Sequence, residues 1–272
     1  MSVPALDHRT TGYSLPLAYW LARASELAYK DEPEVRERTG QWGFTRVRYL
    51  EARNPGPLPL TDTQAFVAGS DHMVVVAFRG TEPTQARDWL SDVDAPGTTG
   101  PGGHGMVHVG FAQALDVVHQ ELTKTVEEFR DQDQTLWITG HSLGAALAML
   151  AAARLHFEAP GLLADGVHTF GQPRTGDRDL ADAYDAAFTA RHFRFVNNND
   201  VVPQLPPEPL YHHVKALRYF DADGNLHESM STAGNLADHA RGFAQNAFAP
   251  GTDAIQDHRM TAYLPLLEKA AG

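Results

Sequence analysis

The hydrophobic positions change period several times along the chain, and those changes mark its elements. From Leu17 to Tyr29 apolar residues recur at helical spacing until "KDEPEV" breaks the run, which predicts an N-terminal helix. "FTRVRYLEA" alternates and reads as a strand. Beyond the loop "NPGPLPLTD", the segments "QAFVAGS" and "HMVVVAFRG" predict a hairpin with Ser70 and Asp71 at its turn. The second segment is apolar almost throughout, as a strand covered on both faces would be.

Further along, residues 107–129 predict a helix, "TLWITG" a strand and residues 143–157 a second long helix. "GVHTFGQ" and "HFRFVNN" are short strands on either side of a helical stretch around "LADAYDAAF", and "HVKALRYFDADGNLHES" reads as two strands about an Asp-Gly turn. Residues 95–105, "APGTTGPGGHG", read as a mobile loop. Strands alternating with helices indicate an α/β fold: a mostly parallel central sheet, helices on both faces and antiparallel strands at the ends. The length, 272 residues, suits one such domain spanning 1–272.

Composition narrows the partners. The formal net charge is −12 and no block of Lys or Arg occurs, so neither a nucleic-acid backbone nor a basic membrane-docking surface is expected. There is no cysteine, which removes disulfides, zinc-thiolate sites and cysteine nucleophiles together. No basic region precedes an apolar core at the N-terminus, and no apolar run is long enough to span a bilayer. The expectation is a soluble, by default cytoplasmic, protein; its oligomeric state is left open.

The chemistry begins in "LWITGHSLGAALAML", where an apolar strand ends in Gly140, His141, Ser142, Leu143 and Gly144 before an alanine-rich helix. These five residues fit G-x-S-x-G. The pattern is short, and its context gives it weight: a sharp strand-to-helix turn exposes the serine hydroxyl, with glycines relieving the crowding on either side. Ala145, Ala146 and Ala148 let the helix approach the sheet, and its N-terminus adds a positive dipole end beside a developing anion.

A serine needs a base, and the base needs an orienting acid. After such a serine the acid and then the histidine follow along the chain, each beyond a strand. Asp200 comes directly after "HFRFVNNN", whereas Asp165, Asp177 and Asp179 follow no strand so closely. Fourteen histidines compete for the base. His258, in "IQDHRMTAYLPLL", lies beyond all the strands, with His239 as its rival; His212 and His213 read as packing or surface residues. Oxyanion donors are expected from the N–H of Leu143 and from Thr81, after the strand "VVVAFRG". The histidines show no HExxH or comparable ligand pair, and no metal or organic cofactor is expected.

Taken in order, "AFRGT", "DWLSD", "HVGF", "GHSLGAALA", "FGQPRTGD", "NNDVVPQLPP", "YHHV" with "YFDADG", and a late Asp257-His258 pair resemble the class 3 (fungal-type) triacylglycerol lipase family of α/β-hydrolases, over residues 60–263. The resemblance implies Ser142 as nucleophile, Asp200 as acid, His258 as base and Thr81 and Leu143 as oxyanion donors. It favours His258 over His239. It also implies a lid after the oxyanion strand, within 82–105, where Ala86, Trp89, Leu90 and Val93 share one helical face. Trp89, Leu90 and His141 are thus candidate substrate or lid contacts. Secreted fungal members generally carry disulfides, so this cysteine-free chain looks more like a bacterial or intracellular relative. The stretch 231–253 has no clear counterpart in the fungal pattern and reads as an insertion.

The function implied is a serine carboxylester hydrolase acting through an acyl-enzyme on acylglycerols or other lipid-like esters, also at a lipid-water interface. The same site would serve a phospholipase, a polyester hydrolase or an acyltransferase. A catalytically silent lipid-binding module would require a lost triad position, and all the candidate positions are present.

Overall fold

The computed structural model describes residues 3–53, 62–81, 97–228 and 253–272. Most of the proposed lid, including Trp89 and Leu90, and the stretch 231–252 lie outside the described residues.

Two helices open the chain, α1 (Leu15–Leu27) and α2 (Glu32–Gln41). The strands β1 (Arg46–Arg53), β2 (Asp62–Gly69) and β3 (Met73–Phe78) follow, each antiparallel to the next. After the short strands β4 (Gly97–Thr99) and β5 (Met106–His108) come α3 (Val109–Phe129), β6 (Thr135–His141), α4 (Leu143–Glu158), β7 (Gly166–Phe170), α5 (Arg178–Phe188) and β8 (His192–Asn197). The chain ends with β9 (Leu217–Phe220), β10 (Leu226–His227), α6 (Asp253–Asp257) and α7 (Met260–Ala271).

Among the described residues the main sheet runs β1-β2-β3-β6-β7-β8-β9-β10, parallel from β3 through β9 and antiparallel at both ends. This is the mostly parallel sheet with antiparallel ends that the alternation of elements predicts, and it is the arrangement that the resemblance to α/β-hydrolases implies. The β3 side chains explain why that strand is apolar throughout: Val74, Val76 and Phe78 join the core beneath α3 and α4, while Met73, Val75 and Ala77 join the core beneath α1. In β6, Leu136 and Ile138 point to the first face and Trp137 to the second. A third cluster, with Phe170, Phe195, Tyr263 and Leu267, packs α7 beside α1 on the second face. No helix among the described residues is long and apolar enough to cross a membrane.

Two segments differ from the sequence reading. The break at "KDEPEV" is followed at once by α2, which Asp31 caps by accepting the Glu34 N–H at 3.1 Å. Only Val35 and Thr39 of this helix are buried, so it has almost no hydrophobic period to read. The stretch read as a mobile loop is, over residues 97–105, part of a small sheet: Gly97, Thr98 and Thr99 pair with His108, Val107 and Met106. The Gly100 N–H closes the connection onto the Gly105 carbonyl at 2.9 Å. Strands of three residues are too short to show alternation, and glycine is a poor strand former, so composition concealed them. For the same reason α3 begins at Val109 rather than at 107.

Candidate active site

Ser142 stands at the C-terminal end of β6, where the sheet hands the chain to α4. Its φ of 59° and ψ of −128° are costly for a residue with a side chain. The surroundings enforce this conformation. A Cβ on Gly140 would overlap the backbone of Gly144 and Ala145, and one on Gly144 would overlap the backbone of Phe78 and Arg79 at the end of β3. Only glycine at both positions lets the turn close and α4 press against β3. The Ser142 N–H is held by the Phe170 carbonyl at 3.0 Å.

Asp200 and His258 are 58 positions apart and meet beyond the C-terminal end of β8. Nδ1 of His258 lies 2.9 Å from both Oδ1 and Oδ2 of Asp200, with both side chains fully buried. A carboxylate only accepts, so Nδ1 carries the proton and Nε2 presents its lone pair, the tautomer a general base needs. Oδ1 of Asp200 also accepts the Val202 N–H at 3.0 Å, and Oδ2 accepts the Tyr263 hydroxyl at 2.6 Å. The Asp200 carboxylate repels charge on Tyr263, whose pKa burial already holds well above the usual phenol value.

The loops that carry the pair are tied together. Asn197 Nδ2 donates to the Asp257 carbonyl at 2.9 Å, and Asn198 Nδ2 and the Asn199 N–H each donate to the Asp257 carboxylate at 3.2 Å. Beneath the pair lies Gly171, at φ +58°, where a Cβ would come within 2.8 Å of Asp200 Oδ2 and of the His258 ring. Oγ of Ser142 and Nε2 of His258 are both buried, and neither has a hydrogen-bond partner. These are the two atoms that a serine nucleophile and its base must keep available.

Leu143 is the first helical residue of α4, so its N–H belongs to the set that a helix leaves without intrahelical partners. Thr81 follows β3 on a strand end that Arg79 anchors, its N–H donating to the Gln64 carbonyl at 2.9 Å and its guanidinium to the Gln64 side chain. His141, expected against substrate or lid, faces inward instead, at 2% exposure. Its ring nitrogens lie 2.7 Å from the Tyr29 hydroxyl and 2.6 Å from the His258 carbonyl, leaving neither for a substrate. Of the competitors for the acid and base, Asp165 pairs with Arg130, Asp177 caps α5 and His213 contacts the Pro203 carbonyl, while His239 lies outside the described residues.

Tyr29, Gly171 and Tyr263 are the site residues the sequence reading missed. Gly171 lies inside the quoted "FGQ", and Tyr263 follows His258 in the same stretch, but nothing local ties either to an acid-base pair.

A strained serine at a strand-to-helix turn, with an aspartate-bound histidine beyond the last strand, is the arrangement that nucleophile, base and orienting acid require on an α/β-hydrolase fold. The model of the Lipase (class 3) family matches residues 75–210, and the chain belongs to that family. A triacylglycerol lipase of Arabidopsis thaliana is 29% identical over 250 residues, covering 73% of this chain and 48% of its own length. A lipase of Rhizomucor miehei is 36% identical over 153 residues, covering 54% of this chain and 41% of its own. The chain thus spans about half the length of these relatives. Among solved structures, the mono- and diacylglycerol lipase of Aspergillus oryzae superposes with a TM-score of 0.66 at 23% identity, covering 90% of this chain and 95% of that one.

Proposed function

We propose that the protein is a serine carboxylester hydrolase that cleaves acylglycerols or similar lipid esters. The observation that carries this reading is the buried Asp200–His258 pair beside the strained Ser142, with Ser142 Oγ and His258 Nε2 both unpartnered.

In the mechanism that follows, Nε2 of His258 takes the Ser142 proton as Oγ attacks the ester carbonyl. The oxyanion falls to the Leu143 N–H and to Thr81, aided by the positive end of α4. His258, now an imidazolium stabilised by Asp200, protonates the departing alcohol. It then draws a proton from water, which releases the acid from Ser142. Family membership supports the fold and this order of roles, and the relatives named for acylglycerol cleavage support the substrate class.

Hydrolysis of p-nitrophenyl esters of graded acyl length by the parent protein and by Ser142→Ala tests the reading. Turnover that vanishes in the variant is the expected result, with the preferred length reporting the depth of the acyl site. Turnover that persists would exclude Ser142 as nucleophile. Comparing soluble with interfacial substrate tests the lid proposed from the spacing of Ala86, Trp89, Leu90 and Val93: rates should jump when the ester forms an interface.

A further inference from the structure

His141 precedes the nucleophile and is buried, and the partners of its ring settle its protonation. Nε2 lies 2.6 Å from the main-chain carbonyl of His258, and a carbonyl only accepts, so Nε2 bears the proton. Nδ1 lies 2.7 Å from the Tyr29 hydroxyl. Burial and the neighbouring His258 hold the ring neutral, so Nδ1 is a lone pair and Tyr29 donates to it. The direction of the chain of bonds is therefore fixed: the Tyr29 hydroxyl to Nδ1, and Nε2–H to the backbone of His258.

This arrangement joins three separate segments. Tyr29 comes from the turn after α1, His141 from the end of β6, and His258 from the connection between α6 and α7. A Cβ on Gly80 would overlap the Tyr29 hydroxyl and the His141 carbonyl and lie 3.1 Å from Ser142 Cβ, so the tyrosine fits only because residue 80 has no side chain. The His141 and His258 rings lie 4.5 Å apart at 33°. The titratable groups that face His141 are Tyr29, His258 and, at 6.3 Å between ring centres, Tyr263.

Two consequences follow. His258 is not held by Ser142, because Oγ and Nε2 are unpaired; its position is set by Asp200 at the ring and by His141 at the backbone. A charge on His141 would also oppose the imidazolium that His258 must become during turnover. We infer that Tyr29 and His141 are positioning residues that clamp the backbone of His258 to the nucleophile turn, with Tyr29 occupying the one ring nitrogen through which His141 could gain a charge. The inference rests on the Ser142–His258 reading above.

The test uses kcat and KM on a soluble p-nitrophenyl ester for Tyr29→Phe, His141→Gln, His141→Leu and the double variant Tyr29→Phe/His141→Gln. Glutamine keeps a donor for the His258 carbonyl and cannot ionise; leucine does neither. His141→Leu should lower kcat about tenfold or more at unchanged KM, as a buried hydrogen bond lost beside the base would. His141→Gln should recover most of that loss.

Tyr29→Phe should lower kcat about fivefold at unchanged KM, the scale of one net hydrogen bond. That loss should not add to the loss of His141→Gln in the double variant, because the tyrosine acts through the His141 ring. An unchanged kcat in His141→Leu, or in Tyr29→Phe, overturns the inference. If His141→Leu does not fold, imidazole ¹⁵N shifts of the parent decide: a protonated Nδ1 on neutral His141 overturns the assignment, and a protonated Nε2 supports it. Loss of turnover in Ser142→Ala keeps these outcomes separate from failure of the triad itself.

Discussion

Tyr263 donates its hydroxyl proton to Oδ2 of Asp200 at 2.6 Å, and the tyrosine oxygen in turn accepts the Asn197 N–H at 3.0 Å. The tyrosine comes from α7 and the aspartate from the loop after β8, so one buried bond ties the end of the chain to the C-terminal end of that strand. It withdraws charge from the carboxylate that faces His258.

Tyr263→Phe should strengthen the hold of Asp200 on a protonated His258. With the competing donor gone, the imidazolium is favoured, the histidine loses its proton at higher pH, and the acid limb of kcat/KM moves upward by up to about one pH unit. A pH-rate series on parent and variant reads this directly. An unmoved profile would reduce Tyr263 to a packing role.

Ser142→Ala and His258→Ala should each abolish nearly all turnover, and the double variant should be little worse than either, because the residues act as a unit. Rates measured on one soluble ester decide it. Losses that multiply would argue that the two work independently, which a proton-transfer pair cannot do.

Gly171→Ala should be harmful out of proportion to its size. Its Cβ would lie 2.8 Å from Asp200 Oδ2 and from the His258 ring, and φ +58° is unfavourable for alanine by roughly 1–2 kcal/mol. Displacing the ring by about 1 Å would cost on the order of 100-fold in kcat. Thermal unfolding with a kinetic assay separates the two effects: activity should fall far more than Tm, and a parent-like kcat would show that the pair tolerates the methyl group.

His168 gives a prediction for stability. It is fully buried in β7 among Tyr13, Trp137, Phe193 and Phe195, and neither ring nitrogen has a hydrogen-bond partner. Burial, aided by nearby Arg218, lowers its pKa to about 3, against about 6.5 for an exposed histidine. Between those values the unfolded chain binds a proton that the native protein does not, so stability falls as pH falls. The contribution is about 1.4 kcal/mol per pH unit. His168→Phe should remove that slope below pH ~6.5, leaving the part due to His119, His141, His192 and His213, which burial shifts in the same direction. Urea titrations at several pH values measure it. A packing penalty would offset the whole curve equally, whereas an undiminished slope would contradict the assignment.

Local signals carried much of this structure. The apolar run in β3, the alternation in β1 and the glycine-flanked serine before an alanine-rich helix all fold as nearest-neighbour physics requires. Helix α2 was illegible because a helix that buries only Val35 and Thr39 has no period to detect. The β4–β5 pair was hidden because its strands are short and glycine-rich. His141 was misassigned because the sequence shows its place beside the nucleophile, not the direction in which its ring points.

The sequence by itself determined that a strand would end in a tight turn carrying Ser142, and that an acid would follow the strand at Asp200. Periodicity and the steric needs of glycine act within a few residues, so both could be read locally. Position and the family resemblance pointed to His258 among fourteen histidines; tertiary structure decided how it meets that acid and what holds it there. His258 lies 58 positions from Asp200, and Tyr29 lies 112 from His141. Such pairs form because the sheet brings the ends of β6 and β8 together and α7 packs beside α1 across them. Hydrogen bonds then depend on tenths of an ångström in space, a quantity that separation along the chain does not encode.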